Sequence, residues 1–90
     1  MAETFVQNES IETVIQRYKA TVYSVALSYV NNREDADDIF QEVFLIYFRT
    51  NPQFNEEEHR KAWLIRTTIN CSKRVVDSTY RKRTVPLDEM

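Results

Sequence analysis

The fold is decided first by residues 11–30, which read IETVIQRYKATVYSVALSYV. Apolar residues return in this stretch at steps of three and four, which places them on one side of an α-helix. Ser10 is placed to cap the N-terminus, and Asn31-Asn32 breaks the pattern, because asparagine favours turns and caps. The sequence therefore predicts a helix over residues 11–30. Its buried side is expected to carry Ile11, Val14, Ile15, Tyr18, Val22, Val25, Ala26 and Tyr29.

A second helix is predicted over residues 33–50, between Asn32 as its cap and Pro52, which cannot continue a helix. Acidic residues crowd its first turns, where the helix dipole favours negative charge. Successive residues of a helix are about 100° apart, so the apolar and polar side chains of this segment lie on opposite sides. The apolar side consists of Ala36, Ile39, Phe40, Val43 and Tyr47. The opposite side consists of Asp38, Gln41, Glu42, Leu45 and Arg49.

A third helix is predicted after the loop at residues 51–55 and is expected to end near Tyr80. Asn55 and Glu58 have the spacing of a capping box at its start. The side expected to be buried carries Leu64, Ile65, Thr68, Ile69, Cys71, Ser72, Val75 and Val76. The opposite side carries Trp63, Arg66, Asn70, Lys73, Arg74, Asp77 and Arg81.

Composition agrees with a small helical domain. Ninety residues suit one hydrophobic core, and the absence of glycine argues against sheet-rich folds, which depend on glycine in their turns. The sequence therefore predicts an all-α fold, a compact three-helix bundle over residues 11–80. Residues 1–10 are expected to form an N-terminal tail. Residues 81–90 lack periodicity and contain Pro86, so they are expected to form a tail or the start of an interdomain linker.

Several classes of protein are excluded by what the sequence lacks. No apolar run approaches the roughly 20 residues that span a bilayer, so no membrane association is expected. Cys71 is the only cysteine and His59 the only histidine, so neither a disulfide nor a metal site is predicted. Asp37 and Asp38 diverge on their helix, and no glycine is available for a phosphate-binding loop. We therefore expect a cytoplasmic protein that is not an enzyme and has no cofactor.

The net charge of −2 conceals a strong segregation of charge along the chain. Residues 33–49 contain five acidic and two basic side chains, whereas residues 60–83 contain eight basic side chains and Asp77. Lysine and arginine neutralise phosphates, asparagine can read a base edge, and aromatic rings stack on unpaired bases, so the basic side of the third helix suits nucleic acid. The alternative is a solvated face. The polar side of the second helix suits docking onto another protein's helix, or is an ordinary exposed face.

Two motifs carry a resemblance to a known family. Residues 35–44 read DADDIFQEVF, residues 62–70 read AWLIRTTIN, and a basic segment follows. In this order and spacing they resemble region 2 of the extracytoplasmic-function (ECF) group of bacterial sigma factors, over roughly residues 11–83. The resemblance implies a transcription-initiation domain that binds RNA polymerase core and promoter DNA. An anti-sigma factor is a further partner that the resemblance implies.

The resemblance also implies where each partner binds. It places Asp38, Gln41 and Glu42 against the clamp helices of the polymerase beta-prime subunit, on the side of the second helix that also carries Leu45 and Arg49. It implies that the third helix and the loop before it recognise and melt the minus-ten element and capture an unpaired base of the single-stranded non-template DNA. The residues assigned to DNA are Phe54, Trp63, Arg66, Asn70, Lys73, Arg74 and Arg81. Trp63 is expected mainly to support packing near the melted DNA.

Two other functions stay open from the sequence. One is a helical protein-interaction adaptor whose basic face binds an acidic partner. The other is a double-strand DNA-binding domain of the helix-turn-helix kind. That kind calls for a short recognition helix after a tight turn, whereas the third helix here is long and has glutamates at residues 56–58.

Overall fold

The computed structural model consists of three α-helices, α1 (Ile11–Val30), α2 (Arg33–Thr50) and α3 (Glu57–Asp88). It describes the backbone of residues 9–88 and the side chains of residues 9–78. Within that part of the chain there is no strand, and each helix packs against the other two. The predicted all-α three-helix bundle is confirmed.

Serine and asparagine set the bounds of α1 and α2, which coincide with the predicted ones. The Ser10 and Asn32 side chains each accept a hydrogen bond from the backbone N–H three residues later, at 3.2 and 2.8 Å. At the other ends, Asn31 and Asn51 adopt the left-handed conformation, with φ of 58° and 48°. Asparagine tolerates this conformation better than most residues do, so it ends a helix without glycine.

The start of α3 differs from the prediction by one residue. The backbone N–H groups of His59 and Arg60 donate to the Glu56 carbonyl at 3.1 and 3.4 Å. Glu56 is therefore the cap, and the predicted cap at Asn55 is wrong. This places the acidic side chains of Glu57 and Glu58 in the first helical turn, where the dipole stabilises them.

The end of α3 also differs, because the helix continues to Asp88. The prediction that it ends near Tyr80 is wrong. Arginine and lysine at residues 81–83 are good helix formers, so the backbone stays helical there without an apolar stripe. Assignment of residues 81–90 to an interdomain linker stays a prediction, and residues 1–8 and 89–90 lie outside the described part of the chain.

The core lies where the three apolar stripes meet. Its buried hydrophobic members are Val14, Tyr18, Val22, Ala26, Ala36, Ile39, Val43, Phe44, Leu64 and Cys71. The Thr68 and Ser72 hydroxyls are buried as well, and each donates to the carbonyl four residues earlier at 2.6 and 2.7 Å, which satisfies them inside the helix. Tyr29 and Val76, predicted on the buried sides, are exposed because they lie where each stripe ends.

A continuous row of aromatic rings links the three helices to the loop before α3. Tyr23 of α1 lies 5.7 Å from Phe40 of α2, and the row continues through Phe44 to Tyr47 with centroids 5.1 and 6.4 Å apart. Tyr47 then meets Trp63 of α3. These separations lie within the range in which aromatic pairs attract one another beyond simple burial, so the row fixes α2 against α3.

Candidate nucleic-acid and protein interfaces

The predicted basic side of α3 is exposed to solvent. Arg66, Asn70, Lys73 and Arg74 occupy positions that recur every three or four residues, and all four are exposed. They form one stripe along the helix, which we call the basic stripe. The side chain of Arg81 lies outside the described residues. A stripe of this kind concentrates positive potential and attracts polyanions.

Trp63 stands at the N-terminal end of the basic stripe and is half-buried. Its ring meets Tyr47 edge-on at 5.7 Å and Phe54 at 6.2 Å, with interplanar angles of 75° and 67°. These contacts are the packing role expected for the tryptophan. They attach the start of α3 both to α2 and to the loop.

Phe54 lies in the interior and is only 8% exposed. Its ring packs against Trp63, and the guanidinium carbon of Arg60 lies 5.9 Å from its centroid, within cation–π range. The ring is therefore not free to stack on a base in this conformation. Phe54 packs the loop against α3 here, and its assignment to DNA stays a prediction.

A cluster of charged side chains, which the sequence did not reveal, connects the first turn of α3 to α1. Among the described side chains, Arg60 is the largest that is fully buried, and its Nη1 donates to Glu9 at 2.9 Å and to Glu57 at 3.3 Å. Arg17 of α1 donates to the Glu9 carboxylate at 2.8 Å and to the Glu57 carboxylate at 3.1 Å. The Tyr18 hydroxyl also donates to Glu57. The cluster joins the segment before α1, α1 itself and the first turn of α3.

The signal for Arg60 was present in the periodicity. Arg60 lies four residues before Leu64 and eight before Thr68, so it continues the buried side of α3 by one turn. Its charge alone suggested exposure. Burial is possible because two carboxylates and an aromatic face receive the guanidinium.

The electrostatics of this cluster predict a dependence on acid. The hydrogen bond from Arg17, with the nearby Arg60, lowers the pKa of Glu9 from 4.5 to about 2. A carboxyl whose pKa falls on folding stabilises the fold above its unfolded pKa, and that stabilisation is lost as the pH falls toward the folded pKa. Because Glu9 is partly exposed, we expect Glu9→Gln to lower the free energy of unfolding by only about 1 kcal/mol at pH 7.

The difference between wild type and Glu9→Gln should then shrink between pH 4.5 and pH 2, measured by urea unfolding across that range. A difference that stays constant with pH would show that Glu9 does not act through its charge. Burial of Tyr18 and its bond to Glu57 raise the pKa of that phenol to about 12, so it stays neutral throughout this range.

The polar side of α2 is exposed as predicted, but it is more apolar than the sequence suggested. Asp38, Gln41 and Arg49 are exposed, and Leu45 between them is 52% exposed. Phe48 was missed and is 65% exposed, one turn after Leu45. We call Asp38, Gln41, Glu42, Leu45, Phe48 and Arg49 the α2 face.

The α2 face and the basic stripe are joined by one ion pair. Arg74 Nη2 donates to Glu42 Oε2 at 2.8 Å, and the same nitrogen lies 3.5 Å from Cys71 Sγ. The hydrogen bond to Glu42 raises the pKa of Arg74 above its ordinary value. Two residues that the sequence assigned to different partners therefore contact each other.

A family profile covers both the α2 face and the basic stripe. The profile of the family described as Sigma-70 region 2 matches residues 14–83. The chain belongs to the Sigma-70 region 2 family. Comparison with curated proteins and with solved structures gave no significant match. The match includes α2, the loop and the basic stripe, so all the candidate residues lie within the Sigma-70 region 2 domain.

Membership of the Sigma-70 region 2 family supports a sigma-factor role in RNA polymerase binding and promoter recognition. It is a family of transcription factors without catalysis of their own. Burial raises the pKa of the Cys71 thiol, which keeps the domain's one cysteine in its neutral form.

Among the residues that the structure describes, no cluster of histidine, cysteine and acidic side chains is arranged to hold a metal ion. Over the same residues, none of the helices combines the length and apolarity that crossing a membrane requires.

Proposed function

We propose that this domain is region 2 of an ECF-type sigma factor. It docks on the clamp helices of the polymerase beta-prime subunit through the α2 face, and it recognises and melts the promoter minus-ten element through α3 and the preceding loop. The observation that carries the proposal is the presence of two exposed surfaces of different composition within a Sigma-70 region 2 domain. One is apolar at its centre with a polar rim, and the other is basic.

The α2 face supports docking on another protein because of its composition. Gln41, Leu45 and Phe48 follow one another along α2 at steps of four and three residues, so they form a single stripe. Protein interfaces typically have an apolar or aromatic centre surrounded by polar side chains, and a few central residues supply most of the affinity. Leu45 and Phe48 supply the centre, and Asp38 and Arg49 supply charges at its edge.

The basic stripe supports binding of single-stranded DNA. Arg66 and Lys73 are exposed and can contact phosphates, and Arg74 can do so when it leaves Glu42. Asn70 lies among them with an amide that can read a base edge. Melting costs a few kcal/mol for each base that leaves the stack. Captured bases and phosphate contacts offset this cost. DNA opening depends on the polymerase because the polymerase positions the domain to make these contacts.

The buried position of Phe54 alters one part of the proposal. Phe54 and Trp63 hold the loop against α3, and the exposed side chains of the basic stripe make the DNA contacts. Arg81 stays in the proposed DNA site because it follows Arg74 by seven positions, or two turns, on the α3 helix. The remaining expected partner, an anti-sigma factor, rests on the resemblance to the ECF group.

Binding to a beta-prime clamp-helix fragment tests the proposal. We expect the 90-residue chain to bind the fragment, and Gln41→Ala combined with Glu42→Ala to weaken binding at least tenfold, about 1.4 kcal/mol. The loss follows because both substitutions lie in the α2 face and remove polar contacts around Leu45. Isothermal titration calorimetry measures both affinities directly.

Two exposed residues of α1 provide a matched control. Glu12→Ala combined with Gln16→Ala makes the same chemical changes on another helix and should leave binding unchanged. No binding by the folded wild-type chain would argue instead for a helical adaptor that keeps the family fold without the polymerase.

A further inference from the structure

The ion pair between Glu42 and Arg74 places one residue of each proposed surface in contact with the other. Arg74 Nη2 lies 2.8 Å from Glu42 Oε2, and the two side chains are 64% and 44% exposed. Both groups are thus accessible to partners from solvent. The residues are 32 positions apart in the sequence, and they meet because α2 packs against α3.

One nitrogen of the Arg74 guanidinium contacts two partners. Its Nη2 donates to Glu42 and also lies 3.5 Å from the sulfur of Cys71, a buried residue one turn earlier on α3. The side chain is therefore directed toward α2. An arginine held in this way presents less positive charge to a phosphate than its exposed neighbour Lys73 does.

Glu42 faces a similar competition. A carboxylate that accepts a hydrogen bond from Arg74 has less capacity for a donor on another protein. A donor on a docked partner that engages Glu42 releases Arg74, and a phosphate that engages Arg74 releases Glu42. Each surface thus affects the charge that the other presents.

We propose that the Glu42–Arg74 ion pair is a switch between the two surfaces, which lowers DNA affinity in the free domain and opens when the α2 face docks. This inference rests on the proposed function, since it assumes that the α2 face binds polymerase and the basic stripe binds DNA. Thermodynamic linkage requires the effect to be reciprocal, so DNA on Arg74 also favours docking through Glu42.

The exposure of the Glu42–Arg74 ion pair determines how much its opening changes DNA affinity. Exposed ion pairs contribute little, so opening this one changes DNA affinity roughly two- to fivefold. The number of phosphate contacts is a second and sharper readout. One additional contact makes the slope of log affinity against log salt steeper by about 0.7 for single-stranded DNA.

The test uses the 90-residue chain and a labelled mixed-sequence single-stranded DNA oligonucleotide, with binding followed by fluorescence anisotropy over a range of salt. We expect Glu42→Gln to bind roughly two- to fivefold more tightly than wild type and to show the steeper salt slope. In an Arg74→Ala background the same substitution should change neither quantity. Glu34→Gln, which removes a carboxylate from the first turn of the same helix, controls for the loss of negative charge alone.

A second arm adds the beta-prime clamp-helix fragment at saturation. Wild-type affinity for DNA should rise to that of Glu42→Gln, and the affinity of Glu42→Gln should not rise further. A rise of the same size in both chains would overturn the switch, because the fragment would then act without the ion pair.

Failure of the switch and failure of the proposed function give different results. If Lys73→Ala weakens DNA binding but Glu42→Gln matches wild type in affinity and slope, the basic stripe binds DNA and the switch is wrong. If neither Lys73→Ala nor Arg74→Ala changes binding, the DNA-binding role of the stripe fails and the switch fails with it.

Discussion

Replacing Arg60 with alanine is expected to lower the free energy of unfolding by about 2–4 kcal/mol, more than any other arginine substitution within the described side chains. The Arg60 side chain is 1% exposed. Its removal takes away hydrogen bonds to Glu9 and Glu57, the contact with the Phe54 ring, and the volume of a large buried side chain. Urea unfolding followed by far-UV circular dichroism at pH 7 measures the change.

Arg74→Ala is the matched control, because its ion pair with Glu42 is exposed and should contribute at most about 1 kcal/mol. Arg60→Met separates packing from charge, since methionine fills much of the volume but cannot donate to the carboxylates. If packing dominates, Arg60→Met should be clearly more stable than Arg60→Ala. Equal destabilisation by Arg60→Ala and Arg74→Ala would contradict the buried role of Arg60.

The bounds of α1 and α2 were predictable because local chemistry determines them. Ser10 and Asn32 cap through their own side chains, and Asn31 and Asn51 end the helices through a conformation that asparagine tolerates. The bounds of α3 lacked such signals. A backbone carbonyl at Glu56 begins the helix, and good helix formers extend it beyond the last apolar turn.

The exposed surfaces were also largely predictable, since periodicity and charge indicate which side of a helix faces water. What the sequence could not show were contacts between distant residues. Arg60 with Glu9, and Glu42 with Arg74, depend on how the helices pack, and no local pattern encodes a pair separated by 51 or 32 positions. The burial of Phe54 was not predictable for the same reason, because a loop aromatic becomes buried only when Trp63 and Arg60 lie beside it.

Of two leucine-to-alanine substitutions, one should mainly lower the stability of the fold and the other should mainly weaken binding to the polymerase fragment. Leu64 is fully buried in the core, so Leu64→Ala should cost about 2–5 kcal/mol of unfolding free energy through lost burial and a cavity. Leu45 is 52% exposed at the centre of the α2 face, so Leu45→Ala should change stability by only about 0.5 kcal/mol. On the proposed function, Leu45→Ala should instead weaken binding to the clamp-helix fragment at least tenfold, or about 1.4 kcal/mol.

Leu45→Ala and Leu64→Ala can be compared directly because the same atoms are removed at both positions. Urea unfolding reports the first effect, and calorimetric titration with the fragment, under conditions where each variant is folded, reports the second. Leu45→Ala with unchanged stability and unchanged affinity would remove the α2 face as the docking surface, since an interface cannot lose its central apolar contact without cost. Leu45→Ala with reduced affinity and intact stability would instead separate the part of α2 that forms the fold from the part that binds the polymerase.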